Sequence, residues 1–240
     1  MEIVLFIFIV LLAAILQTST GFGFSILATP LLLFLYEPAE AVQINMVLAL
    51  VISAALIMTI REDVDYGTLK RFIAGSSVGL FIGIAFFIWF DINSLKFFIG
   101  LVILLLTILL IFKVRMMKTG RKDMIVGGIS GSLTTSIGMP GPPLLLYFSG
   151  TDGSKTSVRS TTLAFTLYIY FISLVVQMIF VGTSGTVWIS SLWGLPVVLI
   201  GLYLGQVLFS WISQRVFRII TYVILFATGI TLLLDSLGWL

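Results

Sequence analysis

Histidine and cysteine are both missing from the 240 residues. Without cysteine the chain has no disulfide, no thiolate nucleophile and no Cys-ligated zinc or iron–sulfur centre. Without histidine it has no imidazole general base, no haem ligand and no His-based metal site. Few enzymes survive both exclusions, and neither a catalytic residue nor a cofactor is expected. Charge is scarce too, at 10% Asp, Glu, Lys and Arg, where soluble domains hold about a quarter.

What fills the chain instead is hydrocarbon. Apolar residues make up 60% of it, and the mean hydropathy is +1.22. This is an all-α polytopic membrane protein, with the lipid bilayer as its first partner and no nucleic acid expected. Eight apolar stretches stand out, at 3–36, 41–60, 72–90, 95–112, 124–148, 158–181, 187–211 and 216–234. Most have the ~17–25 residues that a spanning helix needs. The first begins after Glu2 with no basic leader, and its pattern recurs at 123–148, so it reads as part of the fold rather than a signal peptide.

Two of the stretches are interrupted. The first break is Gln17-Thr18-Ser19-Thr20-Gly21-Phe22-Gly23-Phe24-Ser25, and the second runs from Gly131 to Pro143. Each contains Thr-Ser-x-Gly (Thr18–Gly21, Thr135–Gly138), and each is followed by nearly the same residues, PLLLFL at 30–35 and PLLLYF at 143–148. A break frees backbone N–H and C=O groups that lipid cannot satisfy, so it must face protein or a wet cavity. A helix that restarts after a break aims unpaired N–H groups and a partial positive charge at whatever lies there. That is the physics of anion capture.

Loop charge sets the topology. Lys113, Arg115, Lys118, Arg121 and Lys122 place the central connection in the cytoplasm. If 124–148 spans once, eight basic residues lie inside and five outside; if it is a hairpin returning to its own side, twelve lie inside and only Lys96 outside. The hairpin fits far better. A hairpin plus three spans makes an odd number of crossings, so residues 1–122 and 123–240 are predicted to be two inverted repeats of up to ten helices in all, with both termini extracytoplasmic. Gly79 and Gly83 fall on Gly201 and Gly205 in this repeat, small-xxx-small spacings that allow close helix approach and are expected to form sliding surfaces. Whether each hairpin crosses fully or dips and returns is left open by the pattern.

Inversion brings the two hairpin tips together near the midplane in this reading, as one site for a small anion. The candidate binding residues are Gln17, Thr18, Ser19, Thr20, Gly21 and Gly23 of the first break and Thr134, Thr135, Ser136, Gly138, Met139 and Gly141 of the second, with Asn45 and Arg159 beside them. The glycines permit close backbone approach, and the hydroxyls donate to anion oxygens without a fixed charge. The plainer alternative is that the hydroxyls only re-satisfy freed carbonyls. Arg159 either snorkels to the interface or guards the anion, and Gln177 makes a helix–helix hydrogen bond. No acid at membrane depth is expected to carry a coupling proton.

Two lookalikes fail. Gly128-Ile129-Ser130-Gly131 matches the G-x-S-G of intramembrane serine proteases, which need a histidine. Ser19-Thr20-Gly21-Phe22-Gly23 resembles a potassium filter, but the second copy does not repeat it.

The run at 17–24, the duplication, and GGISGSLTTSIGMPGPPLLLYF at 127–148 resemble the sulfite exporter TauE/SafE family of membrane permeases along essentially the whole chain. The resemblance implies a cytoplasmic-membrane transporter for small sulfur-containing anions such as sulfite, sulfoacetate or other organosulfonates, with Thr18–Gly23 and Thr134–Gly141 as its glycine and hydroxyl breaks. Cysteine-dependent thiosulfate carriage is excluded by composition. An anion channel, a carboxylate permease or an assembly factor without transport remain the alternatives, and the oligomeric state is left open, a homodimer being the commonest symmetric assembly.

Overall fold

In the computed structural model the chain is described over residues 2–238, apart from 22, 91, 113–118, 150–153 and 209–213. The described residues form ten α-helices: α1 (Glu2–Thr20), α2 (Phe24–Leu32), α3 (Pro38–Ile60), α4 (Tyr66–Trp89), α5 (Ile92–Ile111), α6 (Gly120–Ile137), α7 (Gly141–Ser149), α8 (Lys155–Phe180), α9 (Gly185–Leu208) and α10 (Gln214–Ser236). Each uninterrupted apolar stretch is one helix, and each interrupted stretch is two. Five helices (α1, α3, α4, α8 and α9) are long and apolar enough to cross a membrane over their described residues.

Both interrupted stretches are hairpins. The Phe6 and Tyr36 rings meet edge to face at 5.9 Å, so the chain that leaves along α1 returns beside its own start. In the second hairpin the Tyr147 hydroxyl donates to Asp123 near the beginning of α6, at 2.6 Å. The long arms are α1 and α6, and the return arms α2 and α7 have nine residues each. From Phe6 to Gly21, and from Asp123 to Gly138, the helical rise is about 22 Å, most of a hydrocarbon core of about 30 Å.

The hairpins enter from opposite faces. Helices α3 and α8 run antiparallel: Gln43 Nε2 donates to Gly182 O at one end, the Ser53 and Thr166 hydroxyls meet midway, and Asp65 N donates to Thr161 Oγ1 at the other. Phe6, Tyr36, Glu40 and Ser184 belong to the first end, where Lys96 pairs with Asp235 at 2.7 Å. Arg61, Arg71, Asp123 and Arg159 belong to the second. The first end is acidic among the described residues, with Lys96 its one cation, and is called here the acidic face; the second is the basic face.

Helix pairing is reciprocal between the halves. Helix α4 packs on α6, and its counterpart α9 packs on α1; α5 pairs with α10, and α3 with α8. Each hairpin is therefore clasped by a helix from the other half. The α4–α6 contact is backbone to backbone. A Cβ on Gly75 would sit on Met124 O, one on Gly79 on Gly128 O, and one on Gly83 on Ser132 O; from the other side Gly127 meets Phe72 O. The α9–α1 contact is one-sided, with Gly201 against Ala14 Cβ and Gly205 against Thr18 Cβ. The expectation of sliding at Gly79 and Gly83 meets an interlocked seam instead, because glycines on both helices let each backbone fill the other's groove. A clash with backbone cannot be relieved by rotating a side chain.

Gly79→Ala is therefore expected to cost about 1–3 kcal/mol of stability. Gly185→Ala, where a Cβ meets nothing within 4 Å, is expected to stay within about 0.5 kcal/mol. Thermal unfolding of both variants in detergent makes the comparison.

Candidate functional site

At the first tip, α1 ends where Gly21 takes φ +89°, a left-handed conformation that a side chain would strain. Gln17 holds the break closed. Its Oε1 accepts the N–H of Phe24, the first residue of α2, at 3.1 Å. Its Nε2 donates to Ser53 Oγ at 3.2 Å, and Ser53 in turn meets Thr166 Oγ1. One side chain thus satisfies an orphan N–H of the new helix and ties the tip to the α3–α8 pair.

Arg159 completes this tip. Its Nη2 donates to Thr18 O at 2.6 Å, capping the carbonyl end of α1, and its backbone lies against Gly21. The snorkelling alternative does not describe this geometry, since the guanidinium turns inward to the tip. A cation and the N-terminus of α2 thus flank the same break, at Thr18 and at Phe24. Gly23 also lies here, packed so closely on Leu16 that a Cβ would come within 2.8 Å of the Leu16 Cβ.

The second tip is built differently. Helix α6 ends at Gly138, φ +69°, whose N–H returns to Thr134 O while Met139 N returns to Leu133 O. Asn45 Nδ2 donates to Gly138 O at 2.8 Å, and Gln177 Nε2 donates to Thr135 O at 2.6 Å. Gln177 is thus the helix–helix hydrogen bond its position implied. Helix α7 starts at Gly141 with Pro140, Pro142 and Pro143 around it. Of the four residues 140–143 only Gly141 has a backbone N–H, so this helix start offers little to an anion. Met139 is buried beside it.

The two tips do not meet at the midplane. Gly21 abuts Arg159 near the start of α8, while α6 ends beside Gln177 near the finish of α8; those two positions are about 27 Å apart along the helix. Each long arm crosses most of the way, so the tips pass one another and stop near opposite faces. The return arms α2 and α7 touch each other. The 14 candidate residues therefore divide into two clusters: Gln17 to Gly23 with Arg159, and Thr134 to Gly141 with Asn45.

The hydroxyls take the plainer of their two roles. Thr18, Ser19, Thr134, Thr135 and Ser136 each donate to the carbonyl four residues earlier, over 2.5–3.1 Å. Their protons are spent on helix carbonyls, so the strong donors at the tips are amides and Arg159. The Thr20 side chain lies outside the described residues.

Ser53, Thr166 and Ser173, the last bonded to Thr135 at 3.0 Å, complete the clusters and were not among the sequence candidates; their signal was a hydroxyl in the middle of an apolar helix. Asp123 escaped notice as well. Its carboxylate is fully buried in the first turn of α6, bonded to Arg71 Nε and Tyr147 Oη, both at 2.6 Å. These bonds join α4, α6 and α7 at the basic face.

Broken helices that enter from opposite faces recur in membrane transport proteins. The sequence matches the sulfite exporter TauE/SafE family over residues 6–232, and the chain belongs to that family. The family is one of anion transporters of the membrane. No curated protein and no solved structure matches the chain.

Gln17→Leu removes both bonds of the clamp and leaves the Phe24 N–H unpartnered in a buried site. It is expected to destabilise the protein by about 2–4 kcal/mol, whereas Gln17→Glu, which keeps the acceptor, is expected to lose less. The unfolding midpoints of the two variants test this order.

Proposed function

We propose that the chain is a permease for a small sulfur oxyanion, sulfite or an organosulfonate such as sulfoacetate, working by alternating access across the cytoplasmic membrane. The observation that carries the site assignment is the first tip, where Arg159 packs its backbone and Cγ against Gly21 and turns its guanidinium onto Thr18 O, at the break that precedes α2. A planar fork of donors and a helix N-terminus are two independent attractions for an oxyanion. Gln17, Thr18, Ser19, Gly21 and Gly23 form the wall of that site. The family supplies the chemical class of the anion.

Arg159 now rests on Thr18 O, the negative end of α1. An arriving oxyanion is a stronger partner than a carbonyl, so it draws the guanidinium over and loosens the capping of α1. Binding at the tip is thereby linked to the position of the hairpin.

The halves 1–122 and 123–240 are read as inverted repeats, supported by the reciprocal pairing and the antiparallel α3 and α8. The moving bodies are not those halves. The interlocked seams favour α4 with α6 and α7 as one body and α9 with α1 and α2 as the other, moving about the α3–α8 pair. With the basic face cytoplasmic, both termini are extracytoplasmic and the first tip opens toward the cytoplasm.

Isothermal titration of purified protein with sulfite and with sulfoacetate tests the site. Wild type is expected to bind one of them saturably. Arg159→Gln is expected to bind about 10- to 100-fold more weakly, the size of a lost charge-assisted hydrogen bond. Arg159→Lys, a point charge without the fork, falls between, and Thr135→Val at the second tip stays near wild type. Wild-type affinity in a folded Arg159→Gln protein would refute the assignment.

A further inference from the structure

The two tips are related by the repeat but opposite in electrical character. The first presents donors: a guanidinium and the N-terminus of α2. The second presents acceptors. Asn45 and Gln177 use their amide N–H groups on Gly138 O and Thr135 O. Their other ends, Asn45 Oδ1 and Gln177 Oε1, have no hydrogen-bond partner, and both side chains are completely buried. The two carbonyls they hold are three residues apart, one turn of α6, so both amides sit at the same helix end.

Everything else at this end has the same sign. The C-terminus of α6 carries about half a negative charge. The residue whose N–H would close on Ser136 O is Pro140, which has none. Pro142 and Pro143 strip the start of α7 of the donors that would otherwise offset that field. Buried amide oxygens with no donor are normally avoided in folded proteins. Two of them beside a helix C-terminus ask for a cation.

We propose that the second tip is a binding site for a monovalent cation of the sodium class, coordinated by Asn45 Oδ1, Gln177 Oε1 and carbonyl oxygens at the end of α6. The donor set decides the class. It is all oxygen, which suits a hard cation. It contains no carboxylate, and the described residues hold no cluster of His, Cys, Asp or Glu able to bind a metal, so nothing at the tip compensates a divalent charge. Glu40, bonded to Ser184 Oγ at 2.6 Å on the acidic face, lies five residues before Asn45 on the same helix and attracts cations toward the opening.

The site stands on the geometry of the second tip alone; its role as the driving ion rests on the permease reading. A cation at one tip offsets an anion at the other, and each is then expected to raise the other's affinity by the same factor.

Equilibrium binding of 22Na+ to the purified full-length protein, in choline chloride of constant ionic strength, tests the proposal. Saturable binding displaced by NaCl is expected, weakened at least tenfold by Asn45→Leu and by Gln177→Leu. Asn45→Asp, which gives up the bond to Gly138 O but sets a negative charge beside the cation in the same shape, is expected to bind Na+ more tightly. Absence of saturable 22Na+ binding in folded wild type overturns the proposal. So does wild-type affinity in a folded leucine variant, and if neither leucine variant folds, failure of Asn45→Asp to tighten binding does the same. Sulfite binding without Na+ binding would remove the cation site and leave the anion site standing; Na+ binding without sulfite binding would do the reverse.

Discussion

A helix cannot stop inside hydrocarbon unless something else satisfies the backbone groups it leaves behind, and the rest of this structure is arranged around that requirement. Both breaks lie inside the protein, and polar side chains from other helices complete them. Arg159 caps Thr18 O, Asn45 caps Gly138 O, Gln177 caps Thr135 O, and Gln17 takes the first N–H of α2. Two of these four caps, Arg159 on the first hairpin and Asn45 on the second, come from the other half of the chain. Each hairpin therefore needs the opposite half in order to exist, and a bonding requirement becomes a link between two halves. Such cross-caps are what a transporter can exchange for ligand, because a cap that is a charged or amide side chain also makes a good ion ligand.

Packing enforces the same exchange. Helix α4 belongs by sequence to the first half but interlocks with α6 of the second, and α9 does the converse with α1. The first seam is glycine against backbone on both sides, and the second is glycine against Ala14 and Thr18. The tighter seam makes a stiffer body. The difference between the seams parallels the difference between the tips, since the α1 hairpin, more loosely clasped, carries Arg159's contact. Two hairpins that differ in packing and in capping have room for two different ligands.

Much of this was legible in the sequence, for identifiable reasons. Hydrophobic run length placed all ten helices, since lipid demands long apolar stretches and the two breaks announce themselves by glycine, proline and hydroxyl. Loop charge identified the hairpins before any coordinates, and the Phe6–Tyr36 and Asp123–Tyr147 contacts agree with that reading. The depth of the tips was not legible. Counting residues gives the length of an arm, but where Gly21 and Gly138 stop depends on how α3 and α8 cross, which is a property of the assembled bundle. The fate of the hydroxyls was undecided for a similar reason: a threonine such as Thr134 can donate to its own helix or to a ligand, and only the rotamer tells which. Asp123 was missed because it stands beside Lys122 at a helix start, where an acid ordinarily faces water; only the arrival of Tyr147 and Arg71 buries it. The prolines at 140, 142 and 143 were visible throughout, yet their meaning depended on knowing that α7 begins at Gly141.

Counterflow tests the proposed anion site at the Arg159 tip most directly. Proteoliposomes loaded with unlabelled sulfite and diluted into a trace of 35S-sulfite are expected to accumulate label transiently with the wild-type protein. Arg159→Gln proteoliposomes of equal protein content are expected to show little or none. Label that merely equilibrates without overshoot would mean a pore. An undiminished overshoot in the Arg159→Gln protein would place the anion elsewhere and contradict the central claim.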